Sequence, residues 1–424
     1  MWQKTKLTYP LIGLVIFILN LPIKPSVDAV SSRYDFKNNP NDWFGGLTPI
    51  VYGSIPGGDQ WWFYLLSFMQ LFLFTVGFSL LFHKITSVLS ITLYLMGGLF
   101  AIWIVRDSLL VTLSILGIGI IYRSWIQFAG MTKVSFIFIG FILLTLGLSI
   151  RPFLGIALLP LILALAKKRY LSNFLATAAA IFLVLAPFVE NSLLANSQNQ
   201  KNTMPEQQMI LLDLAQLACW SSNDEVNQRA ENILASYVRD FSSNELCLYL
   251  RPYNWQYLVN PMDSSSRAPL SKFNAQDERG FSELTRDYIK LAIARPDELI
   301  QIKMRNFVEL FFVNGQFNGL SDHPTFISKL LHLGDRLHLN SWAFIAFVYL
   351  VNIRVEGFRR IRFQKTTHSE ISAALILSSL ISVLLISVFY VAAIGRYTVF
   401  SSLLLLFGLL YRTKNPKLTK DKLY

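Results

Sequence analysis

The stretch "GGLFAIWIVRDSLLVTLSILGIGIIYRSW", Gly97 to Trp125, decides the fold class, because apolar or small residues fill it on both sides of one Arg106-Asp107 pair. About 20 apolar residues cross a bilayer core of about 30 Å. A charge inside lipid is expensive and is tolerated mainly where it is paired, wet or functional. Two apolar segments that meet at a charged turn satisfy this constraint. Arg106 and Asp107 are therefore expected at one membrane surface, in the short turn between two spans.

The rest of the chain repeats the pattern. Its 424 residues are 53% hydrophobic and only 15% charged, and the mean hydropathy is +0.44. A soluble domain carries nearer a quarter charged residues. The composition predicts an all-α polytopic membrane protein of about ten transmembrane helices with a mainly helical extracytoplasmic domain. We read spans over Leu7–Leu21, Trp62–Phe82, Ser87–Val105, Ser108–Tyr122, Val134–Ile150, Pro152–Ala166, Leu171–Val189, Ser341–Ile353, Ile371–Ala393 and Tyr397–Tyr411. The first resembles a secretory signal, with Lys4 and Lys6 before an apolar run. Asp28 fits poorly at a cleavage site that prefers small residues, so an uncleaved anchor is the expectation.

The charges orient these spans. With the N-terminus in the cytoplasm, the inner segments hold 18 of the basic residues, from Lys4 to Lys422, against Glu356, Glu370 and Asp421. Residues 190–340 hold 18 acids and 14 bases and belong outside. This is the asymmetry of the positive-inside rule, and it accounts for the net charge of +12 without nucleic acid as a partner. Three regions follow: an N-terminal transmembrane module over 1–189 with a first outer loop at 22–60, an extracytoplasmic helical domain over 190–340, and a C-terminal transmembrane module over 341–424 with a basic cytoplasmic tail. In the middle region, Pro296 followed by Asp297 and Glu298 marks a helix start. Both cysteines, Cys219 and Cys247, fall in the same region, where an oxidising compartment permits a disulfide; two buried thiols are the alternative.

Each short outer connection carries one arginine: Arg106, Arg151 in "LSIRPFLG" and Arg396 in "AAIGRYTVF". The positive-inside bias would leave such turns neutral. Arginine keeps its charge and presents paired donors that suit phosphate oxygens, so an anionic lipid headgroup is the expected ligand. Interfacial arginines that simply snorkel are the plainer reading. Beside Arg106, Asp107 would orient an arginine or an outer-loop group. The first outer loop supplies Asp28, Asp35, Asp42 and Asp59. Asp28, only a few residues beyond the first span, can serve as general base toward an acceptor hydroxyl. The same carboxylates offer oxygens to a divalent cation, although neither His nor Glu stands near them. No cofactor is otherwise required, since neither a glycine-rich phosphate loop nor a zinc spacing occurs.

With these residues in view, the chain resembles the GT-C superfamily of integral membrane glycosyltransferases, bacterial type, which use polyprenyl-phosphate-linked sugars at the outer face. Asp28 in "PSVDAV" matches the acidic residue that follows the first span in that family. "NDWFGGLTPIVYG", with Asp42, Trp43 and Pro49, resembles an Asp-Trp-His-Pro-Pro-like element, departing from it at Phe44 and by one missing proline. "VRDSLLVTLSIL", "SIRPFLGIALLPLILAL" and the Arg396-Tyr397 pair in "GRYTVF" resemble an Asp opening the fourth span, a basic residue opening a later one and an Arg-Tyr pair before a late span.

The resemblance implies Asp28 and Asp42 as catalytic residues and Arg106, Arg151, Arg396 and Tyr397 as holders of the donor phosphate. It further implies a polyprenyl-phosphate sugar donor, an acceptor that is a glycan, lipid or protein, and a place in the bacterial inner membrane with both termini cytoplasmic. Two alternatives stay open. An O-antigen polymerase or ligase would place its decisive arginines in the large outer region, where Arg229, Arg239, Arg251, Arg279 and Arg286 are available. A lipid-linked glycan transporter would call for ionisable or broken-helix elements at mid-membrane.

Overall fold

The computed structural model describes residues 8–23, 25, 29–30, 33–34, 47–56, 61–82, 88–102, 106–128, 130–151, 154–166, 207–238, 241–250, 278–309, 367–389 and 399–413. Among them the regular elements are helices: α1 (Thr8–Leu19), α2 (Leu47–Ser54), α3 (Trp62–Leu81), α4 (Val88–Ile102), α5 (Arg106–Gln127), α6 (Gly130–Ser149), α7 (Leu154–Ala157), α8 (Leu159–Ala166), α9 (Gln207–Trp220), α10 (Asp224–Tyr237), α11 (Ser243–Tyr249), α12 (Glu278–Ala294), α13 (Pro296–Val308), α14 (Thr367–Phe389) and α15 (Val399–Thr413). Among the described residues, three stretches are long and apolar enough to cross a membrane: Trp62–Leu81, Asp107–Ser124 and Gly130–Leu148. The apolar parts of α1, α4, α14 and α15 are shorter. The expected spans Leu171–Val189 and Ser341–Ile353 lie outside the described residues.

Boundaries differ from expectation in ways local chemistry explains. Arg106 and Asp107 form the first turn of α5 instead of an irregular turn. An acid is favourable there because the first amides of a helix lack partners and the macrodipole is positive. At its other end α5 runs to Gln127, beyond the expected stop at Tyr122, and so carries Arg123 within the helix. The connection to α6 is then only a few residues long and ends on Gly130 at φ 59°, a left-handed conformation that glycine adopts without strain. The expected span Pro152–Ala166 breaks at Leu158 into α7 and α8. Pro160 supplies no amide proton and is tolerated only in the first turn of the second piece.

Two glycines explain why α5 lies at the centre. Gly117 and Gly119 are two residues apart and point about 200° from one another at 100° per residue. A Cβ on Gly119 would come 2.5 Å from the Gly77 carbonyl oxygen on α3, and one on Gly117 would come 2.6 Å from the Gly140 carbonyl oxygen on α6. Small residues thus let α3 and α6 approach α5 backbone to backbone from opposite sides, as in helix packing within lipid. Accordingly 89% of the Asp107–Ser124 stretch is buried, against 33% of Gly130–Leu148. Phe138, Ile139 and Ile142 on α6, like Phe68 and Phe72 on α3, are exposed, whereas Ser67, Gln70, Thr112 and Ser114 are buried. Apolar outside and polar inside is the arrangement that a lipid solvent selects.

The remaining bundle helices join through aromatic and hydroxyl contacts. The Tyr94 hydroxyl on α4 donates to the Tyr9 carbonyl on α1 at 2.8 Å and meets the Thr75 hydroxyl on α3 at 2.8 Å. Helices α14 and α15 pair through Ser372 donating to the Gly408 carbonyl and Ser379 to that of Ser401, at 2.6 and 2.7 Å. Phe407 stacks on Phe82 at 5.3 Å, which sets the C-terminal half of α15 beside the end of α3. Residues from α1 to α8 and from α14 and α15 share one apolar core, so these described helices form a single bundle.

Helices α9 to α13 have a second core, built on Leu211, Leu214, Leu234, Leu246, Leu284 and Ile302. Asn223 caps α10 by accepting the amides of Glu225 and Val226, and Pro296 opens α13. Cys219 and Cys247 are bonded, with Cα atoms 5.4 Å apart, tying α9 to α11. This five-helix unit meets the bundle through Lys303, which donates to Asp213 at 2.8 Å and to the Val388 carbonyl near the end of α14 at 3.0 Å. Since α14 runs antiparallel to α15, that contact lies at the same end of the bundle as Asp107.

Candidate functional site

At that end, chemistry concentrates where α5 begins and α6 stops. Arg151 occupies the turn after α6, which its own amide closes by donating to the Leu148 carbonyl at 2.9 Å. Its Nε donates to Asp107 Oδ1 at 3.1 Å, and the two residues are buried, at 9% and 2% exposure. Separated by 44 positions, they meet because α5 and α6 are antiparallel neighbours. Asp107, expected in a short turn at the membrane surface, instead forms a buried ion pair with Arg151. Its attraction offsets the cost of desolvating two charges only where hydrogen bonds complete the geometry. The carboxylate also holds the guanidinium in one orientation and balances its charge.

Polar groups continue beneath the pair. Ser108 donates to Gln70 Oε1 at 3.3 Å, and Ser67 donates to the Ile102 carbonyl, the last residue of α4, at 2.9 Å. Four helix segments, the starts of α3 and α5 and the ends of α4 and α6, converge here. Among the described residues, Gln70 Nε2 and Thr112 Oγ1 are buried without a hydrogen-bond partner. Thr112 lies one turn below Ser108, on the same face of α5. An orphaned buried donor costs about 1–3 kcal/mol.

Arg33 is a residue that the sequence reading did not single out. It is buried, its Nη1 donates to the Tyr52 and Ile55 carbonyls at 2.8 and 3.1 Å, and its guanidinium lies 4.8 Å from the Trp62 ring centre. It thereby satisfies carbonyls at the C-terminus of α2 and pins that helix to the start of α3. No motif marks it; its role depends on a helix that starts fourteen residues later in the chain. Of the other candidates, Asp28, Asp42, Arg396 and Tyr397 lie outside the described residues, and Arg106 is placed in α5 with only its backbone described.

The five-helix unit is knit by polar contacts of its own. Tyr288 donates to Asp213 at 2.7 Å; burial and then the Asp213 carboxylate push its hydroxyl far above the usual tyrosine range, so it stays a donor. Gln216 and Asn306 exchange amide hydrogen bonds at 2.9 and 3.0 Å, and the Arg305 guanidinium stacks 3.9 Å from the Trp220 ring. At the surface, the hydrogen bond from Arg295 holds the Asp297 carboxyl below its usual range. Arg229 and Arg286 point into solvent, half or more of each side chain exposed.

Family models, curated proteins and solved structures were all compared with the chain, and none matches it.

Proposed function

We propose that the protein is a membrane glycosyltransferase that moves a sugar from a polyprenyl-phosphate donor to an acceptor at the outer face of the bacterial inner membrane. The observation that carries this reading is the buried Asp107–Arg151 pair, with the orphaned donors of Gln70 and Thr112 beneath it. Arg106 stands beside Asp107 in the sequence, and Arg396 and Tyr397 come shortly before α15. In this reading Arg106, Arg151, Arg396 and Tyr397 bind the donor phosphate, Asp107 orients Arg151, and Asp28 deprotonates the acceptor hydroxyl. That hydroxyl attacks the anomeric carbon, and the lipid phosphate leaves with the bonding pair. Asp42 belongs to the same loop and would act beside Asp28.

The ten-span topology with both termini cytoplasmic is part of the proposal. It is supported by the charge asymmetry and by a disulfide in the segment assigned to the outside, where such bonds persist. Of the arginines the polymerase alternative would use, Arg229 and Arg286 are solvated surface residues, Arg239 and Arg251 lie outside the described residues, and Arg279 has only its backbone described. The test is release of polyprenyl phosphate from a panel of polyprenyl-phosphate sugars by the purified chain in proteoliposomes. Wild type should release it, and Asp28→Asn should not, at unchanged yield and elution. Wild-type failure on every donor, or an Asp28→Asn protein at the normal rate, would sink the assignment.

A further inference from the structure

A cavity of about 700 Å³ lies away from the Asp107–Arg151 pair, between α1, α3, α5 and the start of α6. It is of lipid-binding size, since small-molecule sites run to about 300–1,000 Å³. Its walls are almost wholly apolar, and it follows α3 from Phe68 to Phe82, about 21 Å at 1.5 Å per residue. Leu14, Phe68 and Phe72 on its rim are exposed, so it opens sideways, toward where acyl chains lie.

One end of this slot is polar. Arg123, Ser124 and Gln127 close it, about 24 Å along α5 from Asp107. Arg123 is half-buried, and no carboxylate among the described residues pairs with it. In the sequence, residues 1–7, 83–87 and 123–133, which flank the helices lining the slot, contain Lys4, Lys6, Lys84, Arg123 and Lys133 and no acid; the acids assigned to the same side, Glu356, Glu370 and Asp421, flank α14 and α15. A half-buried guanidinium at the mouth of an apolar slot, with no carboxylate partner among the described residues, calls for an anion that arrives attached to a hydrocarbon chain.

We infer that this slot binds one chain of an anionic membrane phospholipid from the leaflet at the Arg123 end, with the headgroup phosphate on the Arg123 guanidinium. Arginine presents the paired N–H donors that a phosphate accepts. The slot is separate from the donor site proposed above, and the inference stands or falls without it.

Native mass spectrometry of the full chain in detergent tests it, with phosphatidylglycerol and phosphatidylcholine of identical chains as probes. Wild type should retain phosphatidylglycerol about tenfold better, as one charge-assisted contact allows. Arg123→Gln should reduce that retention to the phosphatidylcholine level, and Arg123→Lys should keep part of it. Gln127→Glu, at an exposed rim position, should also weaken phosphatidylglycerol alone, which covers the case of an Arg123 variant that does not fold. Val76→Trp, which fills the slot, should lower retention of both lipids. Equal retention of the two lipids by wild type, or an unchanged preference in Gln127→Glu, would overturn the inference. So would a Val76→Trp protein that keeps its lipid, or one that loses an oligomeric state and so assigns the slot to a second copy.

Discussion

The bundle and the five-helix unit each hold a buried carboxylate against a cation, in opposite surroundings. Asp213 of the unit takes both the Lys303 ammonium and the Tyr288 hydroxyl, inside a core whose helices show charge to solvent. Asp107 of the bundle takes Arg151 at a helix end, with orphaned donors close by, in a body whose outer surface is apolar. The unit thus holds its ion pair among satisfied partners, as a structural joint would. The bundle keeps unspent hydrogen-bonding capacity beside its pair, as a binding site would.

The largest effect should come from deleting the carboxylates. Asp213→Ala leaves the largely buried Lys303 side chain without its counter-charge and the Tyr288 hydroxyl without its acceptor, and should cost about 3–5 kcal/mol, read by thermal unfolding of the full chain in detergent. The same truncation at Asp107 sharpens the comparison. If the pair serves binding, Asp107→Ala should lose donor turnover well before it loses comparable stability, and equal losses at the two positions would erase the distinction. Next in size, replacing both cysteines by serine should cost about 3–4 kcal/mol for a loop of 28 residues. Hydrogen exchange should localise that loss to α9–α13 and leave α3 and α5 protected; faster exchange in the bundle would mean that the two cores are coupled. The smallest change belongs to the bundle alone. Gly119→Ala places a Cβ 2.5 Å from the Gly77 carbonyl oxygen and should cost about 1–3 kcal/mol in thermal midpoint measurements, without altering exchange in α9–α13.

What was legible in the sequence was what is locally encoded. The helical class follows from apolar runs, and the start of α13 from Pro296-Asp297-Glu298, where proline and two acids suit unpaired amides. Asp107 and Arg151 were both visible as charges at the ends of apolar segments, but their pairing was not. It depends on α5 and α6 packing antiparallel in a register set by Gly117 against Gly140, a contact that no local pattern announces. The extension of α5 to Gln127 escaped for a related reason: polar residues past Tyr122 resemble a loop until the tight return through Gly130 is known. Arg33 was hidden because its acceptors are backbone carbonyls, which carry no sequence signal.

As a mechanical part, α5 is keyed on two sides. Gly119 seats it against the backbone of α3, and Gly117 against that of α6, so neither rotation nor sliding of α5 is possible without lifting a neighbouring main chain. Side chains can absorb a small displacement by changing rotamer; a backbone seat cannot. A push on the Arg123 end, about 24 Å from Asp107, is therefore shared with the main chains of α3 and α6 instead of being taken up by α5 alone.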